Sequence, residues 1–204
     1  MTIWFATGNS HKQRELQAIL AGHCIKIPAE AGIAFNPDET GTSFLENALI
    51  KARALYQLVG EPVIADDSGL CVDALGGRPG IYSARYRGPE HAGLGTEATE
   101  LSAPERNALL LHELGDSPQR SARFVCAMVL LLSEDRFFVV QETLEGEIIR
   151  GERGGGGFGY DPILAIPTLG RTVAELSPEE KNRLSHRGKA GQHIADILTG
   201  VVIH

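Results

Sequence analysis

The hydrophobic pattern of the first third of the chain predicts a strand, a loop and a helix. The apolar run Ile3–Ala6 is typical of a buried strand and ends at the turn residues Thr7-Gly8-Asn9. Asn9 or Ser10 would be the N-cap of the helix, whose apolar residues repeat at helical spacing at Leu16, Ile19 and Leu20. A weaker strand is predicted over Cys24–Pro28, before the turn-rich segment Asn36–Gly41.

The next segment repeats this order with a longer helix. Ser43 and Glu46 have the spacing of a capping box, and the stripe that follows consists of Leu45, Ala48, Leu49, Ala52, Leu55 and Tyr56. A buried strand is predicted over Pro62–Ala65 and leads directly into Asp66-Asp67-Ser68-Gly69. A loop over Gly76–Gly95 then separates this strand from a helix that begins at Ser102 and ends near Gly115.

The second half of the chain contains the strongest strand patterns. Phe124–Leu132 and Phe137–Thr143 predict a hairpin, and a turn at Glu145-Gly146 follows. Two final helices are predicted, one capped by Ser177 and one over about Lys189–Leu198. Strands and helices that alternate early, with hairpins later and no repeat or linker, predict a mixed α/β fold that occupies residues 1–204 as a single domain.

Composition and charge limit the classes of protein to which this chain can belong. The 204 residues are 43% hydrophobic and 22% charged, as in ordinary globular proteins, and the net charge of −7 argues against a nucleic-acid partner. We see no signal-peptide pattern at the start, and the longest apolar run is too short to span a bilayer. Three cysteines without a CxxC pair indicate reduced thiols, so we expect a cytoplasmic protein with no membrane association.

The turn after the first strand is a candidate phosphate site. Gly8 permits close approach of a ligand to the backbone, and the helix N-terminus that follows favours anions. Lys12 would add a positive charge within the first turn. The alternative is an ordinary capped turn, and the segment is not a Walker A loop.

Adjacent carboxylates suggest a cation site. Asp66 and Asp67 would repel each other unless they share a cation, and folding could bring Glu39 close to them. A few hard oxygen ligands suit Mg²⁺ when a substrate supplies phosphate oxygens. The alternative is that one of the two aspartates is solvated in a turn.

Two further segments have both a structural and a functional interpretation. The glycine run before Phe158 matches G-x-G-x-x-G formally, but Tyr160-Asp161-Pro162 follows where a Rossmann helix should begin, so we reject a dinucleotide fold. Phe158 and Tyr160 either join the core or offer a stacking surface for a base. Lys181 and the segment Ser185–Lys189 bring three cations and a histidine close together in the sequence, and these charges could simply complement the C-terminus of a helix.

Taken together and in order, these segments resemble the inosine triphosphate pyrophosphatase family, which removes non-standard purine nucleoside triphosphates. The similarity extends over nearly the whole chain, and the combination of motifs in register is what makes it specific. The matching motifs are Thr7-Gly8-Asn9-x-x-Lys12, Glu39-Thr40-Gly41, Ser43-Phe44-x-Glu46-Asn47-Ala48, Lys51-Ala52, Ala65–Leu70, Pro79–Tyr86, Gly157–Pro162 and Ser185-His186-Arg187. The stretch Gly88–Ser102 is longer than the resemblance leads us to expect.

The resemblance implies a Mg²⁺-dependent hydrolase that cuts dITP, ITP or XTP between the α and β phosphates. It also implies an elongated two-lobed structure around a long twisted mixed sheet with a central cleft, usually in a homodimer. In this family Glu39 and Asp67 would hold magnesium, with Asp67 also accepting the proton of the attacking water, although the residues alone leave Asp66 open for that role. The implied substrate-binding residues are Thr7, Gly8, Asn9, Ser10, His11 and Lys12 for the triphosphate, Ser68, and Phe158, Gly159, Tyr160, Asp161, Lys181, His186 and Arg187 for the base.

Selection of the base follows from hydrogen bonding. Hypoxanthine and xanthine carry an acceptor at C6, whereas adenine carries a donor there, so donors from Lys181 or Arg187 would favour the first two bases. A buried mismatch of this kind costs about 1–3 kcal/mol, which predicts that ATP is a poor substrate. The alternative enzyme is a septum-associated type of nucleotide pyrophosphatase that acts on modified pyrimidine triphosphates, which should lack the Ser185-His186-Arg187 segment.

Overall fold

In the computed structural model, residues 1–89 and 101–201 are described. Seven strands in this part of the chain form one sheet in the order β2-β1-β3-β4-β5-β6-β7. Their bounds are β1 Thr2–Phe5, β2 Cys24–Lys26, β3 Val63–Val72, β4 Ser121–Ser133, β5 Arg136–Ile148, β6 Leu164–Ile166 and β7 Arg171–Thr172. Strand β1 pairs in parallel with β2 and β3, whereas β6 pairs antiparallel with β5 and β7. The sheet is therefore mixed, and the prediction of a mixed α/β fold is confirmed.

The same residues form five α-helices, which begin at residues with capping chemistry in most cases. Their bounds are α1 Ser10–Ile19, α2 Phe44–Val59, α3 Ala103–Leu114, α4 Pro178–Leu184 and α5 His186–Gly200. Asn9 caps α1, Ser43 caps α2, and Ser102 with Glu105 forms the capping box of α3, as their sequence patterns predict. None of these described helices combines the length and the apolar character that crossing a membrane requires.

The chain divides into two compact units, and the first consists of residues 1–67, 126–142 and 182–204. Within it, successive residues of β1 enter two different core clusters, because side chains alternate between the faces of a strand. Ile3 and Phe5 pack in the cluster that contains Leu16 of α1 and Ile194 of α5, whereas Trp4 belongs to the cluster that contains Leu55 of α2. Helices thus cover both faces of this part of the sheet, as in other α/β folds.

The second unit consists of residues 68–125 and 143–181. In this unit, Arg78 and Tyr86 from the segment after β3 both bind the carboxylate of Glu113 on α3, with Arg78 Nη2 2.6 Å from Oε1. The strand β6 pairs with the end of β5 through Glu147 and Ile148. This pairing extends β5 beyond the turn that Glu145-Gly146 predicts, so that prediction is wrong.

Two other elements differ from the predictions. Strand β3 does not end at the predicted Ala65 but continues through the polar residues to Val72, so the carboxylates lie within a strand rather than in a turn. Helix α5 begins at His186, three residues before the predicted Lys189, with Ser185 as its N-cap. Of the predicted loop Gly76–Gly95 and the stretch Gly88–Ser102, residues 90–100 lie outside the described part of the chain.

Candidate active site

The loop between β1 and α1 has the backbone of a capped helix N-terminus. Asn9 Oδ1 accepts hydrogen bonds from the N–H groups of His11 (2.9 Å) and Lys12 (3.3 Å), and Thr7 Oγ1 accepts one from the N–H of Asn9 (3.1 Å). Gly8, Ser10 and His11 are exposed. The exposed side of this turn, together with the positive end of the helix dipole, suits an anion.

Asp66 lies at the centre of a buried group of charges in the first unit. Its side chain is fully buried, and Lys12 Nζ lies 3.1 and 3.0 Å from its two carboxylate oxygens. Arg187 approaches the same carboxylate with Nε at 3.2 Å and Nη2 at 3.0 Å from Oδ2, while its Nη1 lies 2.7 Å from Glu15 Oε2. These contacts tie the first turn of α5 to α1 and β3.

The pKa values of this group follow from burial and pairing. Burial alone would raise the pKa of Asp66, but the charges of Lys12 and Arg187 outweigh it and hold that pKa well below its ordinary value. Burial lowers the pKa of Lys12, and Asp66 opposes this shift. Asp66 is therefore ionised and strongly paired, which makes it a poor proton acceptor and a good anchor for Lys12.

Asp67 has a different set of partners, all from the first unit. Lys51 Nζ lies 3.4 Å from Asp67 Oδ1 and 2.6 Å from Glu39 Oε1, so one ammonium group joins the two carboxylates. Asn47 Nδ2 donates a hydrogen bond to Asp67 Oδ2 at 3.2 Å. Burial, the largest effect, raises the pKa of Asp67, with Lys51 acting against it. Asp67 is consequently the better proton acceptor of the two aspartates.

The residues around Asp67 fit a hard divalent cation. Glu39 and Asp67 face one shared positive charge, and carboxylate oxygens are the ligands that Mg²⁺ prefers. No group of three or more His, Cys, Asp or Glu side chains in residues 1–89 and 101–201 is arranged to hold a metal ion. A pair of carboxylates suits Mg²⁺ if water and phosphate oxygens complete its coordination.

In the second unit, Asp161 organises the glycine-rich loop. Asp161 Oδ2 accepts hydrogen bonds from the N–H of Phe158 and from Lys181 Nζ, both at 2.8 Å. Lys181 Nζ also lies 4.4 Å from the centroid of the Phe158 ring, at cation–π distance. Gly157 has φ +71°, and a Cβ there would overlap the Asp161 carboxylate, so only glycine fits this turn. An aromatic face and an ammonium donor thus lie side by side.

Tyr160 occupies a structural position within the same unit. Tyr160 is buried, and its hydroxyl donates to the carbonyl oxygen of Ser83 at 3.1 Å, which favours the core interpretation for this side chain. The Ser83 hydroxyl in turn accepts the N–H of Leu70 at 2.8 Å. Ser68 is half-buried in β3, and Gly159 offers its carbonyl oxygen to Asn107.

The structure groups the predicted site residues within each unit. In the first unit, Lys12 contacts Asp66, Asp66 contacts Arg187, and Glu39 and Asp67 share Lys51. His186 and Arg187 lie in the first turn of α5, directly after α4 ends at Leu184. In the second unit, Phe158, Asp161 and Lys181 contact one another.

Three residues of these clusters were absent from the predicted site. Asn47 and Lys51 lie one turn apart on α2 and are buried among Ala48, Ala52 and Leu55. A polar residue on the apolar stripe of a helix is the signal that would have identified them. Glu15, the second partner of Arg187, carries no comparable signal because α1 has other polar residues at similar positions.

Known proteins match this chain over nearly its whole length. The family model described as the Ham1 family matches residues 3–197. A protein of Treponema denticola named dITP/XTP pyrophosphatase is 50% identical over 98% of this chain and 100% of its own length. The resemblance predicted from the motifs is therefore confirmed.

Solved structures agree with the fold. A HAM1 protein from Coxiella burnetii matches with a TM-score of 0.85 at 39% identity and covers 98% of this chain and 100% of that one. A nucleoside-triphosphatase, dITP/XTP pyrophosphatase, from Mycobacterium abscessus matches with a TM-score of 0.71 at 40% identity over 97% and 99% of the two chains.

Proposed function

The chain belongs to the Ham1 family, and on that basis we propose that it hydrolyses non-standard purine nucleoside triphosphates such as dITP, ITP and XTP. Water and the nucleoside triphosphate would give the nucleoside monophosphate and pyrophosphate, with the bond between the α and β phosphates broken. The names of the relatives support this substrate class. The observation that carries the proposal is the grouping of Lys12, Asp66, Asp67 and Glu39 in one compact unit.

Lys12 would bind the triphosphate together with the turn Thr7–His11. Phosphoryl transfer requires positioning and neutralisation of charge more than covalent chemistry from the protein. Lys12 supplies one positive charge, and Asp66 holds its ammonium group in a fixed place at the end of the helix turn. Arg187 is the second cation bonded to Asp66, and its charge helps to keep that carboxylate ionised while Asp66 holds Lys12.

Asp67 would accept the proton of the attacking water. Lys51 and Asn47 hold its carboxylate in place, and it lacks the close pairing with two cations that makes Asp66 a poor base. Glu39 and Asp67 would hold Mg²⁺, which when bound neutralises charge on the phosphate oxygens. Lys51 would remain the counterion of both carboxylates.

Phe158 and Lys181 would recognise the base. The Phe158 ring is suited to stacking against a purine. Lys181 carries N–H donors and no acceptor, so it complements the oxygen at C6 of hypoxanthine or xanthine and opposes the amino group of adenine. Contacts of His186 and Arg187 with the base stay predictions, and the bonds of Arg187 to Asp66 and Glu15 favour Lys181 as the donor.

Pyrophosphate release from dITP, XTP, GTP, ATP and dTTP tests this function, with Mg²⁺ and with EDTA. We expect metal-dependent release from dITP and XTP and little from ATP. Orthophosphate as the product, or equal rates with ATP, would contradict the reaction or the base selection. A separate assay of dITP against methylated pyrimidine triphosphates tests the alternative, and preference for the pyrimidines would indicate the septum-associated type of enzyme.

We also propose that the protein requires Mg²⁺, is a homodimer and acts in the cytoplasm, as the family resemblance implies. Its three cysteines, Cys24, Cys71 and Cys126, are free thiols, in keeping with a reducing compartment. Sedimentation equilibrium decides the oligomeric state, and fractionation of cells decides the location. Restoration of activity to the EDTA-treated enzyme by Mg²⁺, and not by Zn²⁺ alone, decides the metal.

A further inference from the structure

We propose that Asn47 is a positioning residue for this reaction. Its side chain fixes Asp67 to the turn that carries Glu39, so that the distance between the two carboxylates stays constant. The inference rests on the proposed function and assigns a role to a residue outside the predicted site. It concerns only contacts within the first unit of the chain.

The Asn47 amide connects two segments that lie far apart in the sequence. Its Oδ1 accepts the N–H of Gly41 at 2.9 Å, and its Nδ2 donates to Asp67 Oδ2 at 3.2 Å. Gly41 comes two residues after Glu39, so one side chain joins the turn to β3. The residue is fully buried, and water does not compete for these bonds.

The surroundings allow the amide only one orientation. The N–H of Gly41 is a donor, so the amide oxygen must face it, and the nitrogen then faces the carboxylate acceptor of Asp67. Gly41 approaches the amide so closely that a Cβ there would lie 2.7 Å from Oδ1 and 2.6 Å from Glu46 Cβ. The turn and the side chain are thus packed without space for adjustment.

Asn47 and Lys51 hold the carboxylates of Glu39 and Asp67 in different ways. Lys51, one helical turn further on, neutralises Glu39 and Asp67 through its ammonium group. Asn47 adds no charge, so its contribution is the direction of Oδ2 of Asp67 and the position of the turn. A buried amide on the apolar stripe of a helix is unfavourable unless both of its ends are bonded, and here both are.

The test compares Asn47→Asp and Asn47→Ala with the wild-type protein. The aspartate variant keeps the size of the side chain and the acceptor for Gly41 but replaces the amide donor by a second carboxyl group that competes with Asp67 for a proton, whereas alanine loses both bonds without adding charge. Gln17→Ala is the matched control, because the Gln17 amide also joins a main-chain N–H and a carbonyl, those of Ile25 and His23, away from the carboxylates.

We expect kcat for dITP to fall at least about tenfold in both Asn47 variants and the half-saturating Mg²⁺ concentration to change in both. Calorimetric binding of dITP in EDTA should stay within about twofold of wild type, since Lys12 and its turn are untouched. Exchange of the Gly41 amide with solvent should accelerate in Asn47→Ala only. Gln17→Ala should lose stability and keep kcat.

The results distinguish a positioning role of Asn47 from a purely structural role, and both from a failure of the proposed function. Unchanged kcat and Mg²⁺ dependence in a folded Asn47→Asp protein would overturn the positioning role, and so would an equal loss of kcat in Gln17→Ala. If Asn47→Ala does not fold, Asn47→Leu takes its place, because leucine has a similar size, removes both bonds and adds no charge. A wild-type protein that releases no pyrophosphate from dITP would contradict the proposed function instead, while exchange of the Gly41 amide still tests the bond to Asn47.

Discussion

Asp66 and Asp67 are neighbours in sequence, and their side chains point to opposite faces of β3. The preceding residues show the same alternation, because Ile64 packs in the core cluster of α1 and α5 whereas Val63 and Ala65 pack in the cluster of α2. Asp66 accordingly meets Lys12 and Arg187 on one face. Asp67 meets Asn47 and Lys51 of α2 on the other, so the two carboxylates form ion pairs with different cations.

Loss of Arg187 should destabilise the protein strongly. Arg187→Met removes one of the two cations of fully buried Asp66, and breaking a buried ion pair costs about 3–5 kcal/mol. Urea unfolding measures this loss. Arg150→Ala is the control, since Arg150 pairs with Asp116 at the surface, where side chains are 63% and 99% exposed and a pair contributes about 0–1 kcal/mol. Equal effects of the two changes would show that Lys12 alone suffices for Asp66.

Substitution of Asp67 should separate turnover from binding. Asp67→Asn keeps the shape of the side chain and removes the proton acceptor, so kcat should fall by about 10²–10⁴-fold. Calorimetry should still detect dITP binding, because Lys12 and the turn at Thr7–Asn9 are unchanged. Asp38→Asn, at an exposed position in the turn-rich segment, should keep full activity. An active Asp67→Asn protein would show that the base is assigned wrongly.

The different roles of the two aspartates become visible only when the full extent of β3 is known. The polar run Asp66-Asp67-Ser68-Gly69 suggests a turn, because these residues are common in turns and rare in buried strands. In the structure they continue the strand, and the two aspartates are bonded to side chains from α1, α2 and α5. Those partners are 50 or more residues away for Lys12 and Arg187, so local pattern could not reveal them. Once the strand is known, its alternation separates Asp66 from Asp67.

The helices were predictable where their caps are local. Asn9, Ser43 and Ser102 each precede an apolar stripe, and the helices begin as predicted. Helix α5 begins before its apolar pattern does. Its first turn contains Arg187, which is buried through ion pairs with Glu15 and Asp66 and not through hydrophobic packing. A pattern of apolar residues cannot detect such a turn.

Removal of the Lys181 ammonium should weaken base selection. Lys181→Met leaves an apolar side chain beside Phe158, and the ratio of kcat/KM for dITP to that for dATP should fall by a factor that corresponds to about 1–3 kcal/mol. Lys26→Met is a matched control, since Lys26 also lies over an aromatic ring, that of Trp4, in the other unit. A ratio that stays unchanged in Lys181→Met would assign base selection to other residues, with Arg187 the next to test.

Ionisation of Tyr86 should lower the free energy of unfolding at high pH. Burial, with a hydrogen bond to Glu113, raises the pKa of Tyr86 to about 12 from an ordinary 10.0. The unfolded chain therefore loses the phenolic proton first, so the stabilisation is complete below pH 10 and disappears as the pH rises through 12. At pH 8, Tyr86→Phe should lower the free energy of unfolding by about 0.5–1.5 kcal/mol, because Glu113 then keeps only Arg78. Urea unfolding at several pH values should show the gap between the two proteins narrowing from pH 10 upwards, and a gap that stays constant to pH 12 would contradict the shifted titration of Tyr86.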